Sequence, residues 1–326
     1  MISHNVSPND PRLRLPDEDG ISKAVAELEQ GRLVAFPTET VYGLGADATN
    51  DHAVASIYEA KGRPKFNPLI VHVPDLQAAR RYALFTPLAE QLADKFWPGA
   101  LTLVLPRKAD CPLSLLVSAG LDSVAVRVPN HPIADQLMEG SGLPVAAPSA
   151  NRSGGISPTQ AVHVLQSWPD VNAPGPQVIL DGGPCAVGLE STVIDVTTER
   201  PTLLRPGGIS VEEIEKSAGK VWHADGAPDR PRSPGMLARH YAPGLPVHLN
   251  APSAKRGGAL LGFGPGIQEA DRNLSPEGDL KEAAANLFAM LRTLDSRQFT
   301  SISISPIPNA GLGLAINDRL RRASTL

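Results

Sequence analysis

Short apolar runs, each bounded by glycine, proline or polar residues, recur along this chain and alternate with stretches of helical periodicity. Residues 33–36, 69–73, 101–105, 124–128 and 178–180 are too short for helices and suit strands buried on both faces. Between them the apolar residues fall at helical spacing. Ile21, Val25 and Leu28 follow Asp19; Val54, Ile57 and Tyr58 follow Asn50 or Asp51, either of which can cap a helix. Helical periodicity returns through residues 75–96, where Trp97-Pro98-Gly99 stops it, and again from Pro132 to Met138. Strands outnumber helices and turns are short. Residues 12–212 therefore read as an α/β domain with a mixed, strongly twisted sheet.

One apolar run leads into Pro37-Thr38-Glu39-Thr40-Val41-Tyr42-Gly43-Leu44-Gly45. Pro37 has no N–H and suits a strand end. An extended chain here would put Thr38 and Thr40 on one side and Glu39 on the other. The pattern fits a plain strand end or a polar cup for a ligand. Lys61-Gly62-Arg63-Pro64-Lys65-Phe66-Asn67-Pro68 follows, with three cations in a loop shaped by Gly62, Pro64 and Pro68 rather than on a helix face. Arg127 is the lone charge on a valine strand, on the face opposite Val124, Val126 and Val128. A guanidinium among short apolar neighbours needs a partner. That partner is either a carboxylate of the chain or a substrate carboxylate.

Further on, Ser149 and Asn151 face the same way if extended. Ser157-Pro158-Thr159 reads as a helix start whose N–H groups suit an anion. Arg205 ends the last strand of the domain, before Gly207-Gly208. His72, in an apolar strand, fits a core residue as well as a site residue.

Composition sets limits. A net charge of −4 gives no global signal for nucleic acid or membrane, although a local cluster of Arg and Lys suffices for a small anion. Cys111 and Cys185 lack zinc spacing and are expected to be unpaired, as in a reducing compartment. No Gly-x-x-x-x-Gly-Lys-Ser/Thr loop is present, which argues against a P-loop enzyme. The N-terminus lacks the pattern of a signal peptide, and no apolar run approaches the roughly 20 residues of a membrane span. A cytoplasmic protein is expected. Residues 224–245 are rich in proline, yet Met236, His240 and Tyr241 are costly residues for an idle spacer. Beyond them, a strand at 259–263, an amphipathic helix at 280–294, a strand at 301–304 and a helix at 315–323 suggest a small Rossmann-like unit. Pro265 spoils the dinucleotide fingerprint of Gly262-Phe263-Gly264-Pro265-Gly266, which reads as a turn.

Several separated motifs occur in a telling order. The Pro-Thr-Glu-Thr-Val-Tyr-Gly-Leu-Gly run and Lys-Gly-Arg-Pro are followed by Asn67-Pro68-Leu69, then Ser149-Ala150-Asn151 and Gly188-Leu189-Glu190-Ser191-Thr192. Arg205-Pro206-Gly207 comes next, then Ser233-Pro234-Gly235-Met236 and His240-Tyr241-Ala242-Pro243. From about Gly20 onward the chain resembles the YrdC-type domain of the threonylcarbamoyl-AMP synthases, in their longer two-domain form. The resemblance implies a YrdC-like twisted mixed sheet around a concave, positively charged pocket at 12–212. A linker or lid at 213–245 and a Rossmann-like unit at 246–326 would follow.

The implied reaction joins L-threonine, bicarbonate or CO2 and ATP into threonylcarbamoyl-AMP and pyrophosphate, a nucleotidyl transfer that serves tRNA modification. By the same resemblance, Lys61, Arg63, Asn67, Ser123, Asn151, Thr159, Arg205 and Tyr241 serve ATP, with Lys61 and Arg63 catalytic. Thr40, His72, Arg127, Ser149 and Ser191 serve threonine. Magnesium would come with ATP, with no metal bound by the protein itself. The downstream partner would be the tRNA threonylcarbamoyl transferase machinery, with weak or no direct tRNA binding. Leu237-Ala238 stand where many members have Lys-Tyr. Two other readings are an RNA-binding module, disfavoured by the acidic total, and a carbamoyl transferase, disfavoured by the lack of zinc-finger or acylphosphatase-like segments.

Overall fold

The computed structural model describes residues 10–224, 240–267 and 269–325. The middle of the expected lid, with Met236 and Leu237-Ala238, lies outside the described residues.

The chain opens with β1 (Leu13–Arg14) and α1 (Glu18–Glu29), whose N-cap Asp17 accepts from the Gly20 amide at 2.9 Å. Next come β2 (Val34–Phe36), β3 (Gly43–Asp47) and α2 (Asp51–Lys61). Asn50 caps α2, and Gly62, left-handed at φ 61°, ends it. β4 (Ile70–His72) is followed by two short helices, α3 (Leu76–Ala79) and α4 (Pro87–Phe96). The periodicity read as one helix through 75–96 is thus broken. Thr86 accepts from the Ala89 amide at 3.2 Å and starts α4 afresh with Pro87 at its first turn.

The central strands β5 (Leu101–Pro106) and β6 (Ser123–Arg127) lead to α5 (Pro132–Ser141) and β7 (Val145–Ala146). α6 (Ala161–Ser167) has Gln160 at its N-cap position, three residues later than the Ser157 cap expected for it, and no side chain caps it. Ser157 donates its hydroxyl to Glu190 instead. β8 (Val178–Leu180), β9 (Thr192–Asp195), β10 (Thr202–Arg205), α7 (Val211–Ala218) and β11 (Trp222–His223) complete the first unit.

These strands form one mixed sheet of order β1-β8-β2-β3-β7-β4-β6-β5-β9-β10-β11. β4 runs parallel to β6, whereas β5 pairs antiparallel with β6 and parallel with β9. Because β11 adds parallel to β10, the sheet continues past residue 212 to His223. The second unit is smaller. β12 (Val247–His248), β13 (Ala259–Gly262), β14 (Arg272–Asn273), α8 (Leu280–Leu294), β15 (Ile302–Ile304) and α9 (Leu312–Ser324) build a parallel sheet of order β12-β15-β13-β14. This is the expected Rossmann-like arrangement, and the glycine-rich stretch after β13 is a turn.

The two units share a core. Val41, Ile156 and Leu189 of the first unit and Tyr241 beyond it pack with Leu287, Phe288, Ile302 and Ile316 of the second. Gly188 sets how close they come. It is left-handed at φ 72°, and a Cβ there would lie 2.5 Å from the Ala284 carbonyl oxygen on α8. Gly188→Ala is therefore expected to cost about 1–3 kcal/mol from its backbone conformation alone, with a further cost for displacing α8. Urea unfolding measures this, and an unchanged midpoint would mean the two units are not in close contact there.

Candidate active site

Strands and loops of the first sheet, and the segment after residue 239, supply the lining of one cavity. Thr38, Thr40, Arg63, His72, Arg127, Ser149, Glu190, Ser191, Arg205, His240 and Tyr241 line it.

The loop between β2 and β3 supplies one wall. It is a tight turn rather than the extended segment expected from sequence. Thr38 Oγ1 donates to the Val41 carbonyl at 2.7 Å and accepts from the Thr40 and Val41 amides, each at 3.2 Å. Side-chain bonds to nearby backbone compete with extension in this way. The turn brings Glu39 and Thr40 to the same guanidinium. Arg127 Nη2 lies 2.7 Å from Glu39 Oε2, Nη1 donates to Thr40 Oγ1 at 2.9 Å, and Nε donates to the Gly99 carbonyl at 3.1 Å. The partner that Arg127 needed is thus Glu39, while Arg127 itself still lines the cavity.

His72 sits directly across the β4–β6 ladder from Arg127. Its Nδ1 has no hydrogen-bond partner among the described residues. Burial first, and the Arg127 charge next, push its pKa down to about 3, so the imidazole is neutral.

Arg63 and Arg205 also line the cavity. Arg63 donates Nε to the Asn67 carbonyl at 3.1 Å and Nη2 to the Pro68 carbonyl at 2.8 Å. Burial lowers its pKa to about 10. Arg205 donates Nε and Nη2 to the Ser191 carbonyl at 3.2 and 2.8 Å, and the Ser191 hydroxyl meets Thr102 Oγ1 at 2.7 Å.

Lys61 and Asn151 stand behind the lining. Lys61 Nζ donates to the carbonyls of Ser149 (2.6 Å) and Asn151, while burial and then Arg63 and Arg152 pull its pKa well below the ordinary lysine value. Asn151 accepts from Ser149 Oγ at 2.6 Å and donates to the Arg152 and Gly155 carbonyls, both at 2.8 Å. Asn67 is buried beside Arg63, and neither of its side-chain polar atoms has a partner among the described residues.

Thr159 and Ser123, like Lys61, Asn67 and Asn151, do not line the cavity. Thr159 turns its backbone N–H to His163 Nδ1 at 3.2 Å. Ser123 begins β6, four residues and about 13 Å along the strand from Arg127.

Sequence reasoning assigned no role to Glu39, Glu190 or Arg319, and went no further than a polar cup for Thr38 and a costly linker residue for His240. Glu190 accepts from Ser157 and, at 2.7 Å, from Arg319 Nε on α9. Burial works to raise its pKa, but Arg319 and Arg205, with the Ser157 hydrogen bond, hold it at about 2. Arg319 left one signal in the sequence. It occupies the helical stripe of Ile316, Leu320 and Ala323, so its charge points into the core rather than to solvent.

Comparison with known proteins follows this geometry. Residues 26–207 match the family model described as telomere recombination, and residues 209–325 match that described as threonylcarbamoyl-AMP synthase, C-terminal domain. The chain is 43% identical to the threonylcarbamoyl-AMP synthase of Bacillus subtilis, over 99% of its own length and 96% of the relative's. The chain belongs to the threonylcarbamoyl-AMP synthase family. The Pyrococcus abyssi member is also 43% identical, with 94% of this chain and 95% of that one covered. A crystal structure of P. abyssi Sua5 complexed with L-threonine covers 96% of each chain at 41% identity, with a TM-score of 0.86. The α/β fold with its mixed sheet is thus a family property. Among the described residues, no helix is long and apolar enough to cross a membrane.

The buried histidines give this fold a pH dependence. Burial chiefly holds His72, His163 and His240 each at a pKa of about 3, against 6.5 for an ordinary histidine. Between those values the unfolded chain binds protons that the folded chain refuses. Stability is therefore full above pH 6.5 and falls below it, by up to about 1.4 kcal/mol per pH unit for each histidine. Urea midpoints at pH 7.5 and 5.5 should differ in that sense. Equal midpoints would mean the imidazoles titrate normally.

Proposed function

We propose that this cavity joins L-threonine, bicarbonate or CO2 and ATP into threonylcarbamoyl-AMP and pyrophosphate, the nucleotidyl transfer for which its relatives are named. The observation that carries the reading is the meeting in one cavity of Arg63, Arg205 and Tyr241 with Arg127, His72, Thr40, Ser149 and Ser191. The first group suits the phosphates and base of a nucleotide. The second suits an amino acid with a hydroxyl side chain.

In this reading Arg127 receives the threonine carboxylate, while Thr40, His72, Ser149 and Ser191 surround the rest of the amino acid. Arg63 and Arg205 face the phosphates and Tyr241 the nucleoside. Lys61 and Asn151 hold the Ser149 loop in shape from behind. Asn67, with its unpaired buried amide, supplies polar capacity that a nucleotide would use. Ser123 and Thr159 would join only if the nucleotide reaches beyond the present lining.

The chemistry asks for alignment more than proton transfer. The neutral threonine amine adds to CO2 to give a carbamate and a proton, which passes to solvent. A carbamate oxygen attacks the α-phosphate, and the bond to pyrophosphate breaks. His72 and His240, each held at a pKa of about 3, are poorly matched to act as bases at neutral pH. Placing the two reactants in contact and neutralising the departing charge are what these residues can supply.

Magnesium fits this site through the substrate. Among the described residues no cluster of three His, Cys, Asp or Glu could hold an ion, and the lining carboxylate Glu190 is taken up by Ser157 and Arg319. The ion would ride on phosphate oxygens and water and offset the triphosphate charge.

The division into a catalytic unit at 12–223, extended from 212 because β11 joins its sheet, a connecting lid after it and a small unit at 246–326 belongs to this proposal. So do a cytoplasmic setting, a downstream tRNA threonylcarbamoyl transferase and little direct tRNA affinity, which a net charge of −4 favours.

The test is pyrophosphate release from magnesium-ATP, with threonine or bicarbonate omitted in turn. Release should need both. Arg127→Ala should raise the KM for threonine about tenfold or more, the worth of a charge-assisted hydrogen bond. Arg63→Ala should lower kcat/KM for ATP about a hundredfold. Release without threonine and bicarbonate would mean plain nucleotide hydrolysis. No release from a folded chain, with salt-sensitive RNA binding in its place, would leave an RNA-binding module.

A further inference from the structure

We propose that the C-terminal unit completes the nucleotide half of the cavity, with Arg319 acting as a positioning residue that fixes the Tyr241 ring and the Glu190 carboxylate. This rests on the function proposed above.

Tyr241 has φ 62°, a left-handed conformation that bulky side chains rarely adopt. Such a conformation persists where the surroundings over-determine it, and it clusters at ligand sites. The surroundings here come from both units. The next amide, Ala242, donates to the Gly154 carbonyl at 2.9 Å, and the preceding one, His240, donates to the Arg322 carbonyl of α9 at 3.3 Å. Phe288 of α8 stacks on the Tyr241 ring, with centroids 5.7 Å apart. The Arg319 guanidinium lies over the same ring at 5.0 Å.

Arg319 is fully buried and divides its contacts. Nε donates to Glu190 Oε2 at 2.7 Å, Nη1 donates to Asp318 Oδ2 at 2.8 Å, and its flat face covers the tyrosine. A buried ion pair adds little stability over an apolar filling, but removing one partner leaves a buried, uncompensated charge. That charge would be Glu190, which lines the cavity. An unpaired carboxylate there would repel a triphosphate. Arg319 thus does two things for the nucleotide: it neutralises Glu190 and holds the ring of Tyr241 in one place. Lysine offers a point charge without a planar fork, so it can do the first and not the second.

The test uses the full-length chain, with ATP and threonine varied separately. Arg319→Lys should raise the KM for ATP about tenfold while the KM for threonine stays within twofold, because Arg127 and its neighbours are untouched. Arg319→Met should do worse, and adding Glu190→Gln to it should recover part of the ATP affinity by removing the stranded anion. Equal rises in both KM values, or none, would overturn the proposal, since a purely structural residue does not discriminate between substrates.

Should the variants fail to fold, the unmodified chain still decides. Magnesium-ATP alone should slow amide hydrogen exchange in α8 and α9, and exchange there that ignores ATP would overturn the clamp. A wild-type chain that releases no pyrophosphate sinks the functional reading. A wild-type chain that releases it, with Arg319→Lys kinetically unchanged, sinks only this inference.

Discussion

Five cations are buried around one cavity, and each has to be given acceptors. Lys61, Arg63, Arg127, Arg205 and Arg319 are all less than a tenth exposed. A buried charge is tolerated only where hydrogen bonds and counter-charges replace its lost water. Much of the local structure serves that end. The loop after α2 folds back so that the carbonyls of Asn67 and Pro68 reach Arg63. The segment after β7 turns so that the Ser149 and Asn151 carbonyls reach Lys61. β9 begins where the Ser191 carbonyl can receive Arg205.

The kind of acceptor matters. Carbonyl dipoles hold a cation in place without cancelling its charge. Arg63 rests on such carbonyls, so the part of the cavity it lines stays positive and suits an anion. Arg127 and Arg319 face carboxylates instead, Glu39 and Glu190. For Arg127 this has a further meaning. A guanidinium already matched to Glu39 Oε2 and Thr40 Oγ1 is held in one orientation before a substrate arrives, which lowers the ordering cost of binding.

Much of this was legible in the sequence, and the parts that were not have a common cause. The apolar runs became strands, and residues 280–294 form α8 with the expected ends. Short-range pattern sufficed because burial on both faces leaves a local trace. The motif residues Arg63, His72, Arg127, Ser149, Ser191 and Arg205 do meet in one cavity. What sequence hid were choices made between competing hydrogen bonds. Thr38 could extend or bond its own turn, and it bonds the turn. Ser157 could cap α6 or meet Glu190, 33 residues away, and it meets Glu190. Arg319 finds Glu190 across 129 residues, a pairing that no local pattern encodes. The apolar stripe into which Arg319 falls said only that the charge turns inward.

The neutral histidines bear on how such a site does its work. His72 and His240 occupy positions where many enzymes keep a base poised near neutrality, yet burial and the neighbouring cations hold both far below it. Burial first, then Arg127 at His72 and Arg63, Lys61 and Arg319 at His240, keeps a proton off these rings, so neither is tuned to serve as a base near neutrality. The proposed reaction, whose bond-making step needs only a preformed carbamate and a polarised phosphate, asks for no such base. Under the proposed function the cavity would work by alignment and charge neutralisation.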